Sequence, residues 1–298
     1  MSDKKHLFAI LQALFVTFLW STSFVLIKYG LEEVSAITFA GLRYTIAATV
    51  LLAYMIFSGK LNEFKNISKR NWISLIMLGF IMYFLTQGAQ YLGLYYLPAI
   101  QVSLFLNFTP LIILIFASRL LNEKPTIWNI VGVFIFLIGI VIYFFPLEDL
   151  QGEPVGYIIM TVGLISNAMA TMLGRSVNKE RKLSPILITT ISMGIGGVLL
   201  LITGFSTEGF NPISISNIGI IVFLAVVNTA VAFTLWNKTM QELLSIESSI
   251  INNTMLIQIA ILSWLFLEEP FTFKTVISIL IVSAGVLLVQ FRKKVPKV

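Results

Sequence analysis

The stretch PLEDLQGEP, Pro146 to Pro154, lies at the midpoint of a chain of 298 residues and is polar where almost everything around it is apolar. Positions 125 to 145 form an apolar run just before it, and 155 to 177 form another just after it. Such runs match the roughly 20 helical residues that cross a hydrocarbon core of about 30 Å. Outward from the linker, further runs lie at 98 to 121, 71 to 94, 35 to 58 and 7 to 29 on one side. On the other they lie at 185 to 205, 215 to 236, 245 to 267 and 272 to 291. The linker thus divides ten candidate spans into five and five.

Composition agrees with that division. Hydrophobic residues make up 57% and charged residues 11% of the chain, and the mean hydropathy is +0.93. Soluble domains are about half apolar and a quarter charged, so a water-soluble enzyme is excluded. Runs this apolar should be helices, because in lipid every backbone polar group must be paired within its segment. The first run follows Lys4 and Lys5, but it is too long for a signal peptide and contains Trp20 and Lys28, so it is read as a span.

The basic residues fix an expected orientation. With the N-terminus inside, 17 of the 20 Lys and Arg residues fall in inner segments, among them Lys60, Lys65, Lys69, Arg70, Arg181, Lys182 and Arg292. The outer loops carry Glu32, Glu33, Glu148, Asp149, Glu153, Glu208, Glu268 and Glu269. Ten spans in a cell membrane, with both termini cytoplasmic, satisfy this asymmetry. The net charge of +6 therefore reports membrane orientation and not a nucleic-acid partner.

A midpoint linker also calls for a test of duplication. Sliding the chain by 146 residues without a gap brings Asn71 onto Asn217, Ser103 onto Ser249, Asn107 onto Asn253, Glu123 onto Glu269, Thr126 onto Thr272 and Gly139 onto Gly285. Each unit holds five spans, an odd number, so the second must enter the membrane in the opposite sense. The expected fold is an all-α integral membrane protein of ten transmembrane helices, built as two inverted five-helix repeats over residues 1–149 and 150–298. Inverted repeats place a binding site between the halves near the bilayer midplane.

FLWSTSFVLIKYGLEEVSAITFAGLRYTIAATVLL, Phe18 to Leu52, and FTPLIILIFASRLLNEKPTIWNIVGVFIFLIGIVI, Phe108 to Ile142, resemble the EamA branch of the drug/metabolite transporter superfamily. Its marks fall on Trp20 and Ser21, Arg43 and Tyr44, Pro110 and Glu123, with Trp236 and Glu269 in the second copy. One mark is missing, since the second Pro of the family pattern is replaced by Leu256. The resemblance implies a carrier, an exporter by expectation, of small metabolites such as amino acids.

Several polar groups inside the apolar runs are candidate substrate-binding residues. Tyr83, Gln87 and Tyr91 repeat at four-residue spacing on span three, as do Asn228, Ala232 and Trp236 on span eight, so each set forms one stripe. Asn107 and Asn253 are repeat mates on spans four and nine. Trp20, Ser21 and Arg43 complete the set. Aromatic and amide groups suit an amphipathic solute with an apolar body and polar tips, although Ser and Asn also hydrogen-bond between packed helices, and Tyr91 and Trp236 could be interfacial aromatics.

Arg43 is roughly 12 Å inside span two at 1.5 Å per residue, where an unpaired charge is costly. A substrate carboxylate or phosphate would suit its planar donor fork. Hydrogen bonding to carbonyls at a broken helix or to polar groups in span one is the preferred reading. Pro110 should bend span four by freeing a backbone carbonyl. Gly132 and Gly139, matched by Ser278 and Gly285, should let spans five and ten pack closely.

The chain has no cysteine, and His6 is its single histidine. There is no HExxH, GxSxG or Walker sequence, so no enzyme, metal or cofactor is expected. No acid sits deep in a span, Glu247 being near the start of span nine, which argues against a proton-carrying carboxylate there. The expected partners are a small-molecule metabolite and the lipid bilayer, with a monomer or homodimer as the working unit. The rival reading is a membrane-embedded enzyme or lipid-handling protein that uses Arg43 and Lys28 on a phosphate.

Overall fold

A computed structural model describes residues 2–109, 111–113, 126–145, 151–179, 183–209, 212–239, 243 and 245–290. Among these the chain is helical throughout, with no strand. In the first half, α1 is Ser2–Gly30, α2 is Ala36–Phe57, α3 runs continuously over Lys69–Tyr96, α4 is Ala99–Leu106 and α5 is Ile127–Phe144. In the second half, α6 is Pro154–Lys179, α7 is Pro185–Thr207, α9 is Ser245–Leu267 and α10 is Phe273–Gln290. Between them α8 runs on through Ile215–Ala225, Val226–Val231 and Ala232–Thr239. Seven of the described helices are long and apolar enough to cross a membrane, and Thr254–Leu267 and Phe273–Leu288 are shorter apolar helices.

Local chemistry sets the helix starts, and it recurs at the repeat offset. Ser68 accepts from the Asn71 backbone N–H at the head of α3, and Ser214 from that of Asn217 at the head of α8, both at 3.3 Å. Thr126 and Asn129 form a reciprocal cap on α5, and Thr272 caps α10 through the Thr275 N–H. The two internal π-helical turns also correspond, Gly79–Gln87 in α3 and Val226–Val231 in α8.

Two pairs of helices that are mates under the offset, α2 with α7 and α5 with α10, pack closely against each other. A Cβ on Gly41 of α2 would come within 2.5 Å of the Leu201 backbone of α7, and one on Gly197 of α7 would meet Thr45 N at 2.8 Å. The close approach expected of spans five and ten is present. A Cβ on Gly139 would meet Val282 at 2.8 Å, and one on Gly285 would meet Phe136 N at 2.4 Å. Around these seams the bundle presents large apolar side chains outward, including Phe8, Phe15, Phe57, Phe134, Ile158 and Leu265. Such a surface suits lipid and not water.

Helix α4 ends early. Asn107 is its C-cap, Phe108 N–H reaches the Phe105 carbonyl at 3.0 Å, and helix is again present at Thr109. The turn at Asn107 and Phe108 lies just before the position where a bend was expected; Pro110, which was to cause that bend, and Glu123 lie outside the described residues.

Candidate functional site

Arg43 points from α2 into the middle of the bundle and is 5% exposed. Its Nε donates to Thr229 Oγ1 of α8 at 2.9 Å, while Nη1 and Nη2 donate to Tyr91 Oη of α3 at 3.3 Å and Ser23 Oγ of α1 at 3.5 Å. Its guanidinium carbon also lies 5.4 Å from the Tyr44 ring centroid. Among the described residues no carboxylate pairs with it. One side chain therefore ties α1, α2, α3 and α8, elements from both halves, through neutral acceptors.

Asn228 is the second junction. It is fully buried in the π-helical turn of α8, and its Nδ2 donates to Leu19 O at 2.6 Å, Ser23 Oγ at 2.9 Å and Thr22 Oγ1 at 3.1 Å. The wider turn re-aims the side chains of α8, and such insertions are frequent at functional positions. Asn228 Oδ1 is buried with no partner among the described residues, and so is Trp20 Nε1 on the facing α1.

The remaining sequence-nominated residues fall into three groups. Tyr83, Gln87 and Tyr91 meet through one residue that the stripe did not include. Tyr44 Oη donates to Gln87 Oε1 at 2.6 Å, and its ring centroid lies 5.5 Å from Tyr83 and 6.5 Å from Tyr91. Tyr91 is fully buried, so it is no interfacial aromatic. Trp20 packs on Phe233 and Trp236, each at 5.2 Å between centroids, forming an aromatic wall where α1 meets α8. Ser21 donates to Thr17 O at 2.8 Å and to Gln258 Oε1 at 2.9 Å, linking α1 to α9.

Asn107 stands apart, its Nδ2 spent on the Ser103 carbonyl of its own helix at 2.8 Å. The side chains of Asn253 and Glu247 lie outside the described residues. Ser23, Thr229 and Gln258 are not among the sequence candidates, and Tyr44 enters there only as a mark of the family resemblance. Gln258 carried a usable signal as an amide deep in the apolar run of span nine, five residues beyond Asn253. Thr229 did not, because the π-helical turn changes which residues of α8 share a face.

A ring of carboxylates joins the halves at the end of the bundle that carries Gly30. Glu208 accepts from the N–H groups of Ile37 at 3.1 Å and Thr38 at 2.8 Å, at the head of α2. Glu33 accepts from the Ser214 hydroxyl and N–H and from the Asn217 amide, bonds that hold its carboxyl below the ordinary range. Glu269 accepts from Ala99 N–H at 2.6 Å and Ile100 N–H at 3.1 Å, at the head of α4. Burial pushes its carboxyl up, against the opposing pull of those N–H groups and of Lys28. At the opposite end, Ser184 at the head of α7 donates to Glu63. Among the described residues no group of His, Cys, Asp and Glu could hold a metal ion.

The family described as EamA-like transporters matches the chain twice, over residues 7–145 and 154–291. Relatives span nearly its full length. An uncharacterized transporter, YyaM, of Bacillus subtilis (strain 168) is 27% identical and covers 98% of this chain and 97% of its own. An uncharacterized transporter of Archaeoglobus fulgidus is 28% identical over 94% and 97%. An S-adenosylmethionine/S-adenosylhomocysteine transporter of Chlamydia muridarum is 25% identical over 85% and 82%. One protein crystal structure superposes with a TM-score of 0.69 over 95% of both chains at 16% identity, a likeness of fold alone. Two matches that meet at the Pro146 to Pro154 linker account for almost the whole sequence, and the chain belongs to the EamA-like transporter family.

Proposed function

We propose that this protein carries a small amphipathic metabolite, uncharged or zwitterionic and of the amino-acid kind, out of the cell by alternating access between its two repeats. The observation that carries the reading is the polar and aromatic cluster inside an apolar bundle, drawn from both repeats: Trp20, Ser21, Arg43, Gln87 and Tyr91 from one, Asn228 and Trp236 from the other. The Trp20 and Trp236 rings supply an apolar wall, and the orphaned Trp20 Nε1 and Asn228 Oδ1 supply a donor and an acceptor for polar tips.

The working orientation has ten spans in the cell membrane and both termini cytoplasmic, so the Gly30 end faces outward. The two repeats, 1–149 and 150–298, are inverted about the cluster. Relatives named for S-adenosylmethionine and S-adenosylhomocysteine support a metabolite with an amino-acid portion. Arg43 serves as the tie that holds the cluster together, with three of its five N–H groups on Thr229, Tyr91 and Ser23. Counterflow in proteoliposomes against a panel of amino acids, nucleosides and sugars tests this reading. Trp20→Ala and Asn228→Ala should each lower the apparent affinity for the carried solute.

A further inference from the structure

Glu269 differs from the other carboxylates of the outer ring in what it holds. The helix it caps, α4, begins at Pro98, which has no side-chain donor or acceptor to serve the first turn, so the leading N–H groups must find acceptors elsewhere. Both oxygens of Glu269 supply them, from the opposite repeat and from a side chain only 9% exposed. The chain is bent to deliver it. Glu268, immediately before, sits at φ 56°, the one non-glycine residue with positive φ among the described residues. A strained backbone of this kind persists where the surroundings over-determine it and is a pointer to function.

Two more contacts fix the same corner. Glu269 N–H reaches the Ser263 carbonyl at 3.3 Å, and the Tyr29 hydroxyl of α1 donates to the Phe266 carbonyl. Lys28 of α1 lies within electrostatic reach of the carboxylate, and both line an open cavity of about 500 Å³ with Leu31, Tyr95 and Leu97. The segment held by Glu269 is short, because α4 leaves regular helix at Asn107 and Phe108, two turns below. By contrast, Glu208 caps α2, which is locked to α7 along the glycine seam of Gly41, Gly197 and Gly204. One carboxylate caps a short segment that ends in a turn, and the other caps a helix packed closely along its length.

We propose that Glu269 is a positioning residue of the transport cycle: its carboxylate, carried by the second repeat, clamps the Pro98 end of α4 and keeps the central cluster closed from the outside, and its release opens that side. The inference rests on the transport reading and its orientation, but its readout needs no solute. Because the chain has no cysteine, a single Ser103→Cys in α4, at a buried position beneath the clamp, reports access by labelling with a membrane-impermeant maleimide added outside intact cells.

In the Ser103→Cys background, Glu269→Ala should speed labelling about tenfold or more, the scale expected when two charge-assisted hydrogen bonds are lost, and Glu269→Asp should restore part of the protection. Glu208→Ala should lower thermal stability without changing the labelling rate. Unchanged labelling in a folded Glu269→Ala protein would overturn the clamp and leave a stability cap. Should Glu269→Ala fail to accumulate, Glu269→Gln, which keeps the volume and loses one acceptor, reads the same way. Loss of flux in every protein, wild type included, would instead count against the transport reading, because the labelling comparison stands without it.

Discussion

Arg43 shows how a residue singled out by its cost in lipid acquires a role from its neighbours. Its three bonds reach hydroxyls on α1, α3 and α8, and hydrogen bonds to charged groups are worth about 1.5–3 kcal/mol where nothing replaces them. Arg43→Gln should therefore lower the folded yield and the thermal stability of detergent-purified protein, by about 1–3 kcal/mol, more than it alters solute preference. A variant of wild-type stability with changed selectivity would reassign Arg43 to the solute. The position was legible in the sequence because a charge inside an apolar run has few explanations; its partners Ser23 and Thr229 were not, because single hydroxyls are common in packed helices. Two carboxylates at the Gly30 end make a paired test of opposite sign. Glu33 has a lowered pKa, so its contribution is present above the ordinary carboxylate value and lost as pH falls through the lowered one. Glu269 has a raised pKa, so its contribution is full below the ordinary value and lost as pH rises through the raised one. The groups facing Glu269 are Lys28 of α1, Tyr143 of α5, the α4 N–H groups and, across the shared cavity, Glu32. Thermal unfolding across pH should lose its acid-side decline in Glu33→Gln and its rise-with-acid component in Glu269→Gln; a change on the same side in both would contradict the assignment.

At the scale of elements, the sequence located nearly every described helix within a few residues, because hydropathy and caps act locally. Ser68, Ser214, Thr126 and Thr272 each begin a helix by a side chain within three residues of the N–H it serves. The π-helical turns were not legible. They place an extra residue in a turn without any break in composition, and they put Thr229 beside Arg43 while Asn228 reaches α1. Cross-repeat capping was also hidden, since Glu208 and the head of α2 are distant in sequence and meet only when the halves pack. The glycine seam between α2 and α7 can be tested directly. Gly41→Val should cost about 1–3 kcal/mol by overpacking against the Leu201 backbone, whereas Gly219→Ala, with nothing within 4 Å of its Cβ, should be neutral. Equal effects in the two variants, measured by thermal unfolding, would rule out the close packing.

For the molecule as a whole, duplication was legible because an ungapped offset survives in capping residues and glycines, whereas the identity of the solute is not written in any motif. Reporters fused after Val298 should be cytoplasmic and one inserted near Asp149 should be outside; the reverse would overturn the orientation. The absence of a central acid in the spans predicts that flux persists when the proton gradient is collapsed and follows the solute gradient. The most direct test of the central claim is counterflow by purified protein in liposomes preloaded with each member of a panel of amino acids, nucleosides and sugars. A transporter account predicts saturable, solute-selective counterflow that Asn228→Ala weakens, and the absence of saturable flux for every solute in the panel would contradict it.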